Sequence, residues 1–182
     1  MKNIGVIGLG DMGSGIALNL IKNGFKVFGS DLLPARQQEF KNMGGSLEIS
    51  IADIGKKCDA VFVMVMNGSQ AKSIIFDEDG LARNMEAGST VILSATIKPS
   101  EAEEIGHLIK DTGLQFIDTP VSGGFPGAQS GNLTLMASAS EDVMNKNRVF
   151  YCPKWSHDFV YKDSNNINAT FVEVVAPTVP EL

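Results

Sequence analysis

Three groups of residues carry side chains or glycine turns that could do chemistry. The first is Gly8-Leu9-Gly10-Asp11-Met12-Gly13, a GxGxxG run, with Asp31 lying 18 residues after Gly13. In such a run Gly8 permits a tight turn, and Gly10 lets a pyrophosphate approach the backbone with no Cβ in the way. Gly13 lets a helix pack closely on a strand. The N–H groups that open the following helix favour the diphosphate's negative charge. Asp31, at a strand end, can accept hydrogen bonds from ribose hydroxyls and would repel a 2′-phosphate, which favours NAD over NADP. Arg36 keeps NADP open, because a nearby arginine can accommodate that phosphate. The plain alternatives are a glycine turn for the loop and a capping or surface carboxylate for Asp31. The second group is Ser122-Gly123-Gly124. A hydroxyl beside exposed backbone N–H groups at a glycine turn makes an anion nest, or else the segment is a surface loop. The third is Lys162-Asp163-Ser164-Asn165-Asn166. Lys162 and Asn166 share a face if that segment is helical; taken alone, Lys162 reads as a solvated surface lysine.

The elements that must position these residues follow from apolar patterning. Residues 3–8, 26–30, 60–66, 90–93 and 115–119 read as strands. The run Ala-Val-Phe-Val-Met-Val-Met over 60–66 is expected of a strand buried on both faces. Residues 12–23, 35–43, 70–76 and 99–111 read as helices, with Pro34 and Pro99 as starts and Gly24, Gly44 and Gly113 as stops. Residues 51–57 supply one or two further helical turns. Strand and helix alternate with short connections, which predicts a parallel sheet covered by helices. After Pro120 the texture changes. Residues 122–131 hold four glycines, 133–137 read as a strand and 141–146 as a short helix. Residues 165–175 begin a further helix, which Pro177 and Pro180 end.

Composition narrows the function classes. The chain has 182 residues, 43% of them hydrophobic and 20% charged, with 15 Lys+Arg against 21 Asp+Glu and a net charge of −6. This is globular composition. An acidic chain without a basic run is a poor nucleic-acid binder, and no apolar run reaches the ~18–20 residues that span a bilayer. The start does not read as a signal peptide. Cys58 and Cys152 form neither a disulfide framework nor a metal cluster, and a reducing cytoplasm suits them.

With these motifs in place, the sequence resembles the β-hydroxyacid dehydrogenase family, which includes 3-hydroxyisobutyrate dehydrogenase, tartronate semialdehyde reductase and L-threonate dehydrogenase. That family shares its N-terminal domain with 6-phosphogluconate dehydrogenase. Residues 8–20 resemble its extended cofactor motif GLGxMGxGxAxNL. Residues 118–134, containing Asp118-Thr119-Pro120-Val121-Ser122-Gly123-Gly124 and Leu133-Thr134, resemble its substrate signature. The resemblance implies an α/β, Rossmann-type doubly wound, mostly parallel sheet with helices on both faces over 1–145. Over 146–182 it implies a short remnant of an all-α domain, as in a C-terminally truncated member. It implies NAD, with NADP possible, held by Gly8, Leu9, Gly10, Asp11, Met12, Gly13 and Asp31. Met66 and Asn67 would line the adenosine side, and Thr96 the nicotinamide side. Ser122, Gly123 and Gly124 would bind the carboxylate of a small hydroxyacid, with Lys162 as general acid/base and Asn166 orienting the substrate. Two functions follow as expectations. One is an active dehydrogenase of a short sugar acid of the L-threonate or tartronate type, its cleft completed by a second subunit or by the tail. The other is a dinucleotide-binding module without turnover.

Overall fold

The computed structural model describes residues 2–48, 50–151, 158–162 and 168–173. In chain order the elements are β1 (Asn3–Ile7), α1 (Asp11–Lys22), β2 (Lys26–Ser30), α2 (Pro34–Asn42), β3 (Ser46–Leu47), α3 (Ile51–Lys57), β4 (Ala60–Val63), α4 (Gly68–Phe76), α5 (Leu81–Asn84), β5 (Thr90–Leu93), α6 (Pro99–Ile109), β6 (Gln115–Asp118), β7 (Val121–Ser122), α7 (Gly124–Ser130), β8 (Thr134–Ser138), α8 (Glu141–Tyr151), β9 (Asp158–Lys162) and β10 (Asn168–Glu173). The strands form one sheet in the order β3-β2-β1-β4-β5-β6-β8-β10-β9, with β7 also on β8. Pairing from β3 to β6 is parallel. Pairing from β6 onward is antiparallel. The strand order reverses beside β1, with β2 on one side and β4 on the other. Such a switch point opens a crevice at the carboxyl ends of the strands.

Alternation along the strands divides the core into two layers. Ile4, Val6, Phe62, Ile92 and Ile117 pack with Ala17 and Leu20 of α1 and Phe40 of α2. Val61, Val63, Val91 and Leu93 pack on the other face with Ile54, Ile75 and Ile105 of α3, α4 and α6. Buried on both faces, β4 is apolar throughout, as a central parallel strand must be. Local signals set the helix starts. Pro34 and Pro99 open α2 and α6. The Ser50 hydroxyl accepts from the Asp53 N–H at 3.0 Å, and the Lys98 N–H donates to Glu101 Oε2 at 3.1 Å. Cys58 is buried beside β4, and burial pushes its thiol up to about 12, so it is an inert packing residue. Among the described residues no helix is long and apolar enough to cross a membrane.

One expectation changes. Within the helix expected over 165–175, the described residues Asn168–Glu173 form β10 instead, antiparallel to both β8 and β9. Its central residues Thr170, Phe171 and Val172 are β-branched or aromatic and favour a pleated surface. The described part of 146–182 comprises the end of α8 and the strands β9 and β10. Because α8 runs to Tyr151, the 145/146 position falls inside a helix.

Candidate cofactor and substrate site

The glycine loop joins β1 to α1 at the switch point. Gly8 has φ +90°, and a Cβ there would collide with the Met64 carbonyl oxygen at the end of β4. A Cβ on Gly13 would collide with the Gly8 carbonyl oxygen. These two glycines close the turn from within. Gly10 differs, because the only atoms a Cβ would meet belong to the Arg36 side chain, with Nη1 at 2.5 Å. The face of Gly10 is thus free of backbone and carries a guanidinium. A cradle that a Cβ would fill, next to the open N–H groups of a 12-residue helix, fits a dinucleotide diphosphate.

Asp31 braces this loop. Its Oδ2 accepts the Leu9 N–H at 2.7 Å and its Oδ1 accepts the Leu33 N–H at 2.8 Å. Each oxygen keeps a further lone-pair direction for a ribose hydroxyl. The Leu9 side chain is in the core, so its part in the site is this backbone contact. Asp11 opens α1 and pairs with Arg36 Nη2 at 3.6 Å. Met12 is half-buried on the same turn.

The other expected positions line the same carboxyl edge. Met66 follows β4 and is 85% exposed. Asn67 caps α4, its Oδ1 accepting the Gln70 N–H at 2.9 Å. Thr96 follows β5 and is exposed. Among the described residues, Ser94 Oγ and Thr119 Oγ1 are buried oxygens without a hydrogen-bond partner. They occupy the next register positions after the Leu93–Asp118 pair.

Ser122 ends β7, and Gly123 and Gly124, with φ +126° and +59°, turn the chain into α7. All three are exposed. The sequence alone does not reveal that α7 is docked on α1. Gly15 and Ala128 touch so closely that a Cβ on Gly15 would lie 2.6 Å from Ala128 backbone atoms. Asn19 Nδ2 donates to the Ala128 carbonyl at 2.8 Å and to the Gly15 carbonyl at 2.8 Å. Gly15 and Asn19 therefore tie the cofactor helix to the element carrying Ser122–Gly124. The sequence pattern likewise gives Asp118 no role. It is half-buried at the end of β6, and burial pushes its carboxyl up to about 6.

Lys162 is not brought to this group. It ends β9 and pairs with Asn168, so three strand spacings, about 14 Å, separate it from the β6 line. Asn166 lies outside the described residues. The helical i, i+4 relation expected of the pair is replaced at Lys162 by a strand.

The fold and the glycine loop define a dinucleotide-binding domain of the doubly wound α/β class. Residues 3–150 match the family described as the NAD binding domain of 6-phosphogluconate dehydrogenase, and the chain belongs to it. It is 44% identical over 142 residues to L-threonate dehydrogenase of Cupriavidus necator, covering 78% of this chain and 48% of that protein. It is 37% identical over 139 residues to mitochondrial 3-hydroxyisobutyrate dehydrogenase of Mus musculus, covering 76% and 42%. A crystal structure of 3-hydroxyisobutyrate dehydrogenase from Salmonella typhimurium superposes with a TM-score of 0.78 at 32% identity, covering 83% of this chain and 53% of that one. The chain spans about half the length of the relatives it matches.

Proposed function

We propose that this chain is the dinucleotide-binding domain of an NAD(P)-dependent oxidoreductase acting on a small β-hydroxyacid or sugar acid of the L-threonate or tartronate semialdehyde type. The observation that carries this reading is the lock between α1 and α7, which holds the glycine loop and the Ser122–Gly124 turn in fixed relation. NAD, when bound, supplies hydride chemistry at a hydroxyl-bearing carbon. Gly8, Gly10 and Gly13 give the diphosphate its approach, and Asp31 receives ribose hydroxyls. Met66 and Asn67 line the adenosine side and Thr96 the nicotinamide side. The Ser122 hydroxyl and the N–H groups of Gly123 and Gly124 orient a carboxylate. A proton must also be held at the substrate oxygen; Lys162 is the candidate, with Asn166 orienting.

The distance of β9 from β7 supports a second reading, a dinucleotide-binding module without turnover. Calorimetric titration with NAD and NADP, followed by NADH absorbance in the presence of L-threonate, separates the two. Binding with an absorbance rise supports the oxidoreductase. Binding without one supports the module, and no binding refutes both.

A further inference from the structure

The structure assigns Arg36 to the diphosphate of the bound dinucleotide, and not to a 2′-phosphate on the adenosine ribose. Arg36 is in the first turn of α2, and its side chain reaches the glycine loop at the start of α1. Its guanidinium occupies the space a Gly10 side chain would fill, with Nη1 2.5 Å from the Cβ position. Nη2 lies 3.6 Å from Asp11 Oδ1. The side chain is only 33% exposed, against 73% for Asp11. The carboxylate that marks the ribose side, Asp31, takes backbone N–H groups from Leu9 and Leu33. The guanidinium lies instead against Gly10, the glycine whose bare face admits a diphosphate.

Charge gives the placement its consequence. Asp11 stands in the first turn of α1, where the helix N-terminus favours an anion. A carboxylate at that point repels a diphosphate. In the free chain Arg36 compensates Asp11. When a dinucleotide binds, the guanidinium exchanges the carboxylate for phosphate oxygens, whose fork geometry it matches. Arg36 then sets affinity for anything carrying the diphosphate and is indifferent to the 2′ position.

The assignment rests on dinucleotide binding at the glycine loop and not on turnover, so calorimetric affinity tests it. NAD, NADP, ADP and adenosine are titrated into the wild-type chain, Arg36→Gln and Asp11→Asn. Arg36→Gln is expected to weaken NAD, NADP and ADP alike by about 10- to 100-fold and to leave adenosine unchanged. Asp11→Asn, which removes the competing carboxylate and keeps the guanidinium, is expected to tighten the same three ligands. A loss confined to NADP in Arg36→Gln returns the residue to the 2′-phosphate and overturns the assignment. So does an Arg36→Gln variant that binds all four ligands as the wild type does, or an Asp11→Asn variant that binds the dinucleotides more weakly. A wild-type chain that binds none of them removes the cofactor reading itself, and the assignment with it.

Discussion

Replacing Gly15 with alanine should separate the two halves of the site. Gly15 is buried in α1 away from the diphosphate cradle, and its added Cβ would stand 2.6 Å from the carbon, oxygen and Cβ of Ala128. Comfortable carbon contacts lie at about 3.5–4.0 Å, so α7 must retreat by roughly 1 Å. Forcing a methyl into a packed contact costs about 1–3 kcal/mol. Stretching the Asn19–Ala128 hydrogen bond costs about 1 kcal/mol more, and the better helix propensity of alanine returns about 1 kcal/mol. The net destabilisation is about 1–3 kcal/mol, which for a chain of this size lowers Tm by about 2–12 °C. Amide hydrogen exchange over 121–131 should accelerate, because α7 loses its seat. The cradle of Gly8, Gly10 and Gly13 is untouched, so NAD affinity should stay within about twofold of wild type. Unchanged exchange over 121–131 together with an unchanged Tm would refute the α1–α7 lock. Loss of NAD binding with α7 still protected would show that Gly15 serves the cofactor directly.

Two further outcomes follow from the site. Asp118 ionises in water near pH 4, but burial holds it protonated up to about 6 in the folded chain. Between these values the unfolded chain binds fewer protons than the native one, so this group's contribution to stability falls as pH rises. Asp118→Asn should therefore raise Tm above pH 6 and match wild type below about pH 4; a Tm difference that does not vary with pH would refute the burial argument. Asn67→Ala removes the cap of α4 and should cost about 1 kcal/mol, with Asn67→Asp retaining most of it. Equal melting temperatures for wild type and Asn67→Ala would discount the cap.

Much of the framework was legible because it is local. Strands at 26–30 and 90–93 and the helix at 51–57 follow from apolar runs, and α2 and α6 from their opening prolines. The strand expected over 60–66 stops at Val63, and Met66 beyond it is exposed to solvent. Residues 124–130, Gly-Phe-Pro-Gly-Ala-Gln-Ser, carry two glycines and a proline and have weak helix propensity. They are helical because Ala128 seats on Gly15 and Asn19, a partnership across 109 residues that no local pattern records.

What the sequence by itself determined is the diphosphate cradle and the class of protein. A backbone turn at φ +90° and a close approach of strand to helix can be met only by glycine, so those needs are written at fixed spacing in 8–13. The tertiary structure alone decided where the flexible and distant groups go. It set Arg36 against Gly10 with Asp11, used the Asp31 carboxylate to brace the Leu9 and Leu33 N–H groups, and made the Lys162 segment a strand three positions from β6. The physical reason is reach. Backbone sterics act over a few residues and leave a readable pattern, whereas side chains meet their partners only after the sheet has brought separate segments together.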